Sequence, residues 1–354
     1  KKQYEFVRTP HINKKLWETS GHWGNYSDSM YPPIEIGQTL EDSKAKKVDE
    51  KESEKYLLKP MNCPFHVEIF KSTPKSYREF PMRWAETTVY RYEKKQLGLT
   101  RVRFTQDDAH IFCRKDQVKD ELERVIKFVK KVIKTFMEYE AFLSFRDPND
   151  SKYITDEMWE LSQNTLKEVS EKLLKAVIEE EAAFYPKIDF KLKDCLRSHQ
   201  CSTIQFDFTL PERFDLKFTN KDVDERPVMI HRALFSFERF ISILIEHYAG
   251  SFPLWIAPRQ VIIIPVAEKF DNYAKELNQK LLENIRSEID FSNDSFNKKI
   301  RNAEKARINY ILIVEKEEKN SSLSVRNYKT KKQTTEKIDD FIERLNIEIS
   351  EKII

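Results

Sequence analysis

Residues Thr87 to Cys113 read TTVYRYEKKQLGLTRVRFTQDDAHIFC. Two segments rich in β-branched and aromatic residues, Thr87 to Glu93 and Arg101 to Phe112, flank a short basic loop containing Gly98, a pattern that predicts an antiparallel hairpin. Alternate side chains of a strand share a face, so Gln106, Asp108 and His110 line up on one side while Ala109 and Ile111 point to the other. Arg91 and Glu93 share a face in the same way. An Arg, a Gln, an Asp and a His gathered on one sheet face could hold a phosphate, a polar small molecule and a metal. The competing reading is a solvated sheet face.

Upstream, Pro60-Met61-Asn62-Cys63-Pro64-Phe65-His66 sets two prolines around a cysteine and so fixes the backbone around the thiol. By itself such a cysteine is more often a small buried hydrophobe than a ligand. Asp42 to Lys55, DSKAKKVDEKESEK, carries charge without apolar periodicity and reads as a solvated loop or insertion.

Downstream, Asp116 is expected to cap a helix with an apolar stripe of Val118, Leu122, Val125, Ile126, Val129, Val132, Ile133 and Phe136. Thr155 is expected to cap a second, with Met158, Leu161, Leu166, Val169, Leu173, Leu174 and Val177 on its apolar face. Strands follow at Ile188 to Leu192 and Thr203 to Leu210, the latter alternating Thr203, Gln205 and Asp207 with Ile204, Phe206 and Phe208. Val228 to Tyr248 starts as a strand over Val228-Met229-Ile230 and becomes helical, placing His231 and Arg232 near the junction.

After Ala257-Pro258 the expected order is strand (260–265), helix (270–285), strand (288–291), helix (295–307), strand (309–314), strand (323–328) and a final helix (335–347). Strands alternating with helices in this way make a small α/β domain. Its second helix carries Lys298, Lys299, Arg301, Lys305 and Arg307, either a phosphate-facing stripe or a solvated face.

The chain has 354 residues and a formal net charge of +3, which allows two or three domains and argues against a polybasic protein. Nucleic-acid contacts would have to come from local patches. Cys63, Cys113, Cys195 and Cys201 form no CxxC pair, and no apolar run is long enough to span a bilayer. The expectation is a soluble, reducing, cytoplasmic setting without membrane or signal segments.

KPMNCP, FTQDDAHIFC, TIQFDF, PVMIHRA and FERF, in this order, strongly resemble the threonyl-tRNA synthetases, a family of class II aminoacyl-tRNA synthetases. The resemblance implies an α+β catalytic domain over 1–257, built on a six- or seven-stranded class II antiparallel sheet flanked by helices. A small α/β anticodon-binding domain would follow over 258–354. It also implies a homodimer formed through a first motif near Thr9-Pro10. The hairpin would be the second motif, with Arg91 on the ATP α-phosphate and Glu93 and Arg101 also at the nucleotide. The third would bring Arg239 against it. The family's zinc ligands match Cys63, His110 and His231. Gln106, Asp108 and Tyr185 would contact L-threonine, with Lys187 and Gln205 nearby. His22 matches a position associated with proton transfer in the tRNA step, and Glu317 and Arg326 stand for anticodon contacts. Partners implied are L-threonine, ATP with Mg2+, and threonine tRNA.

No N-terminal editing region is read in these residues, so serine, which retains the hydroxyl and lacks one methyl, is expected to be mischarged by this polypeptide alone. Rival readings are a prolyl or seryl enzyme of the same subclass, and a synthetase-like RNA-binding or regulatory module without catalysis. The chain has only 5 glycines. It has none where the family carries one between Arg103 and Phe104, between Tyr185 and Pro186, and between Phe235 and Ser236. Three such deletions beside motif residues would each shift strand register, so the expectation is that the protein carries these glycines although the sequence as given does not. Phe65 stands where the family often has glycine.

Overall fold

The strands of the expected hairpin pair antiparallel, with Met82 opposite Phe112 and Trp84 opposite His110. The fold is taken from a computed structural model that describes residues 4–13, 16–36, 54–90, 104–145, 156–179, 186–193, 198–315 and 322–353. Contacts divide the chain into Lys1–Ile243 and Leu244–Ile354. The first unit contributes β1 (Glu5–Phe6), β2 (Ile12–Asn13), β3 (Ile34–Ile36), β4 (Glu54–Leu58), β5 (Met82–Val89), β6 (Phe104–Cys113), β7 (Glu140–Ser144), β8 (Ala176–Glu179), β9 (Lys187–Lys193), β10 (Ser198–Asp207), β11 (Phe218–Asn220), β12 (Val223–Glu225) and β13 (Val228–Ser236).

Eight of these form one sheet in the order β1-β5-β6-β13-β10-β9-β7-β8. The six central strands run antiparallel to their neighbours, and β1 and β8 add parallel edges. This is the expected class II sheet, widened by one parallel strand at each side. Strand alternation gives it two unlike faces. Ala109, Ile111, Ile188, Ile204 and Ile230 point to one side and are fully shielded from water. Each such isoleucine contributes about 1.5–3 kcal/mol on burial. The helix Val118–Lys134 covers this face through Val118, Leu122, Val125, Ile126, Val129 and Ile133, as its spacing predicted. On the other face Trp17, Phe65, Val67, Phe70, Phe80, Trp84 and Phe112 build a second core, and Phe65 fills its position by packing edge-on to Trp17 at 5.7 Å.

Several local expectations are corrected. Asp116 does not cap the helix: it lies in a 3-10 turn, Lys115–Gln117, and its carboxylate is taken by Arg114. Thr155 lies outside the described residues. In the helix Asp156–Leu173 the buried positions include Trp159, Ser162, Leu166, Val169 and Ser170, whereas Leu161 is exposed and Val177 belongs to edge strand β8. Strand β10 stops at Asp207, and Thr209–Arg213 is helical. Strand β13 runs through to Ser236 before the helix Phe237–His247 begins, so His231 is mid-strand. Glu54 and Lys55 pair in β4 opposite Ile36 and Glu35 instead of looping; the charged run before them, 42–53, lies outside the described residues. The β13 register shifts between Ala233 and Ser236.

The second unit holds β14 (Val261–Pro265), β15 (Ser287–Ile289), β16 (Tyr310–Val314), β17 (Ser322–Asn327) and β18 (Gln333–Lys337) in the order β15-β14-β16-β17-β18. β14 is parallel to both its neighbours, and β17 and β18 return antiparallel. Helices cover both faces, so β14 is buried along its whole length. Val261 and Ile263 join one core with Leu277 and Phe341, Ile262 and Ile264 another with Ala303 and Ile308. β18 corrects the expected final helix: its threonines pair with β17, and the helix starts only at Ile338. Of the basic stripe, Arg301, Lys305 and Arg307 are exposed. Lys299 is buried and donates to the Asp290 carbonyl, while Lys298 pairs with Asp294.

Candidate active site and metal centre

Cross-strand register assembles the site. Neighbouring strands β6, β13, β10 and β9 set His110, His231, Gln205 and Lys187 side by side, and the next rung carries Asp108, Ala233, Thr203 and Asp189. Residues paired across strands share a face, so both rungs present one polar surface. Over it lies the N-terminal end of the helix Cys63–Lys71, which brings in Cys63. The cavity between them is about 250 Å3, lined by Met61, Cys63, Gln106, Asp108, His110, Lys187, Gln200, Thr203, Gln205, His231 and Ala233.

One ligand atom each from Cys63, His110 and His231 lies within 4.8 Å of the others, and all three residues are buried. A thiolate and two imidazoles are a donor set suited to zinc, and three protein ligands keep an open position. His231 Nε2 lies 2.6 Å from Asp207 Oδ2, the carboxylate contact that commonly orients a metal-binding imidazole. Asp207 is held in turn by the backbone N–H groups of Thr209 and Leu210, which donate to its Oδ1. Burial, helped by the neighbouring His231, His66 and Arg232, holds the His110 pKa well below the usual imidazole range, so the ring is neutral as a metal donor must be. The residues present fit the ion.

Around this centre, Asn62 Nδ2 donates to Asp108 Oδ2 at 3.1 Å. Burial pushes the Asp108 carboxyl up, against the pull of His66 and of that hydrogen bond. Lys187 Nζ pairs with Asp189 Oδ2 at 2.7 Å, and Gln200 Nε2 donates to Asp189 Oδ1 at 2.6 Å. Arg239 Nη1 donates to the Gln200 carbonyl at 2.7 Å, which ties the helix Phe237–His247 to the strand that carries the rim. His22 is buried, its Nδ1 2.6 Å from Ser20 Oγ and its Nε2 3.6 Å from Cys63 Sγ.

Of the sequence-predicted residues, then, Cys63, Gln106, Asp108, Lys187, Gln205, His110 and His231 share the cavity, and His22 contacts Cys63. Arg239 is not among the lining residues. Arg326, in the second unit, donates to Glu304 Oε1 from Nε at 2.9 Å. Arg91, Glu93, Arg101, Tyr185 and Glu317 lie outside the described residues. Sequence reading assigned no role to Asp207, His66 and Glu86, although Asp207 was visible as a member of a polar strand face.

The turn into His22 depends on Gly21, whose φ of +77° suits glycine. A Cβ there would stand 1.6 Å from Arg213 Nη1, which donates to the Ser20 carbonyl. Gly21→Ala is therefore expected to lower stability by about 1–2 kcal/mol in urea unfolding. An unchanged midpoint would mean that this turn is not held as described.

Comparison with known proteins gives a consistent picture. Residues 46–248 match the family model of the tRNA synthetase class II core domain (G, H, P, S and T), and residues 260–347 match that of an anticodon binding domain. The chain is 48% identical over 368 residues to threonine–tRNA ligase of Sulfurihydrogenibium sp. (strain YO3AOP1), covering 99% of this chain and 54% of that protein. It is 47% identical to a threonine–tRNA ligase of Thermus thermophilus, covering 96% and 52%. The chain thus spans about half the length of the curated relatives it matches. A crystal structure described as the RNA binding domain of threonyl-tRNA synthetase from Cryptosporidium parvum superposes with a TM-score of 0.84 at 35% identity, covering 98% of this chain and 86% of that one. That of a putative threonyl-tRNA synthetase from Aeropyrum pernix gives 0.73 at 28% identity, covering 99% and 84%.

Proposed function

Because this chain belongs to the threonyl-tRNA synthetases of class II, we propose that it ligates L-threonine to threonine tRNA through a threonyl-adenylate. The observation that carries the reading is the convergence of Cys63, His110 and His231 on the wall of a cavity otherwise lined mostly by polar groups. When bound there, zinc supplies open coordination positions for the amino and hydroxyl groups of threonine, which valine cannot match.

The chain's own residues supply the rest. The Asp108 carboxyl accepts from an N–H of the threonine amino group and Gln106 orients it, with Tyr185 a further threonine contact and Lys187 and Gln205 nearby. Adenylate formation is attack of the amino-acid carboxylate on the α-phosphorus of ATP with release of pyrophosphate. Charge grows on the phosphate oxygens, and Arg91 and Arg239 stabilise it, with Glu93 and Arg101 holding the nucleotide and Mg2+ arriving with ATP. In the transfer step the terminal ribose hydroxyl of the tRNA loses a proton as it attacks the adenylate carbonyl. His22, its Nδ1 2.6 Å from Ser20 Oγ, assists that loss. Glu317 and Arg326 contact the anticodon from the second unit. The segment around Thr9-Pro10 carries the homodimer contact, and the setting is cytoplasmic.

Threonine-dependent ATP–pyrophosphate exchange in zinc-replete protein tests this. Exchange is expected, with valine rejected by roughly 10⁴-fold or more because it leaves buried polar groups unpaired, and serine by only about 10–200-fold. No exchange with threonine would favour an RNA-binding or regulatory module.

A further inference from the structure

Behind the candidate metal ligands runs a buried polar line that the activation chemistry does not use. His66 lies three residues beyond Cys63 on the helix Cys63–Lys71 and is fully shielded from solvent. Its Nδ1 is 2.8 Å from Nδ1 of His110, the two rings edge to face. Two ring nitrogens at that separation share one proton, so one donates and the other accepts. On its far side, His66 Nε2 faces Glu86 Oε2 at 3.5 Å and has no closer hydrogen-bonding partner among the described residues. Glu86 is itself fixed, accepting from the Thr9 backbone N–H at 2.8 Å, the Thr9 hydroxyl at 2.7 Å and Lys59 Nζ at 2.6 Å.

An ionised carboxylate only accepts. The proton facing Glu86 is thereby placed on His66 Nε2, which leaves His66 Nδ1 as the acceptor. It takes the Nδ1–H of His110. The His110 lone pair is then on Nε2, the nitrogen 3.9 Å from Asp108 Oδ1 in the cavity wall. The opposite arrangement would leave a proton on the atom that has to bind an ion.

We propose that His66, held by Glu86, is a positioning residue that fixes His110 in the tautomer with an open Nε2. This rests on the reading of His110 as a zinc ligand. The line Thr9, Glu86, His66, His110 thus serves His110 as Asp207 serves His231, by setting which ring nitrogen is free.

Histidine-selective heteronuclear NMR of the full chain, stripped of metal, reads the tautomer directly. His110 is expected as Nδ1–H with an unprotonated Nε2; finding Nε2–H overturns the proposal whatever the chain does with metal. Zinc affinity by chelator competition is the second arm. His66→Phe is expected to weaken zinc binding about 10- to 100-fold. His66→Asn, whose Oδ1 can take the place of Nδ1 as acceptor, is expected to stay within about threefold of the unaltered chain. Equal losses in both variants, or none in His66→Phe, overturn it. If His66→Phe does not fold, the tautomer in the unaltered chain decides. A chain that binds no zinc would defeat the metal reading separately, and the tautomer would still decide this one.

Discussion

Threonine-dependent ATP–pyrophosphate exchange is expected to fall by roughly 10²–10³-fold when Cys63 is replaced by serine. The proposed ion supplies several kcal/mol of polarising charge and orientation, and about 1.4 kcal/mol is a factor of ten in rate. Serine is nearly isosteric with cysteine but is a far poorer donor at neutral pH, so the site loses its thiolate without losing its shape. Cys63 is 2% exposed and packs in the core with Trp17 and Phe65, so the variant should fold, with urea midpoints close to those of the unaltered chain. The valine discrimination should collapse together with the rate. Exchange within about threefold of the unaltered protein, with valine still rejected, would contradict the assignment.

The largest stability effect is expected at Lys59. Its ammonium is fully buried and 2.6 Å from Glu86 Oε1, and it also donates to the Thr9 hydroxyl at 3.0 Å. Lys59→Met leaves the Glu86 carboxylate buried without its cation, a loss of about 3–5 kcal/mol. The pH dependence gives a second check. Burial alone would raise the Glu86 pKa, but the facing His66 and the hydrogen bonds from Lys59 and Thr9 outweigh it and bring it from the ordinary 4.5 down to about 2. A carboxyl depressed in the folded state adds stability fully above its unfolded pKa and loses it as pH falls through the folded value. The contribution, roughly 3 kcal/mol, should thus be complete above about pH 4.5 and vanish towards pH 2. Lys59→Met should flatten that slope. A loss under about 1 kcal/mol at neutral pH would mean that the pair is not buried as described.

Much of the architecture was readable because strands have period two. The alternation around Gln106, Asp108 and His110 announced one polar and one apolar face, and the structure has both. The helix Val118–Lys134 was equally legible from its stripe. What failed were transitions. Val228 to Ser236 is apolar enough to suit either a strand or a buried helix, so its end could not be placed by periodicity, and His231 was set at a junction it does not occupy. The end of β18, 335–337, was absorbed into the final helix, and Gln333 and Thr334 were left unassigned, because these polar residues carry little apolar signal. The ligand set itself did not follow from spacing. Cys63, His110 and His231 are far apart in the chain and meet only through the strand order β6-β13 and the helix laid over it, so they were reached by resemblance. Asp207, His66 and Glu86 were missed for a related reason: each acts through a partner that only cross-strand register or helix placement supplies.

Zinc K-edge X-ray absorption on the purified chain, with and without threonine, decides whether the three side chains share one ion. One sulfur is expected near 2.3 Å and two imidazole nitrogens near 2.0–2.1 Å, roughly the ordinary zinc distances, with further light atoms joining when threonine is added. A shell without sulfur, or a zinc-free protein that still makes threonyl-adenylate at full rate, would contradict the shared centre.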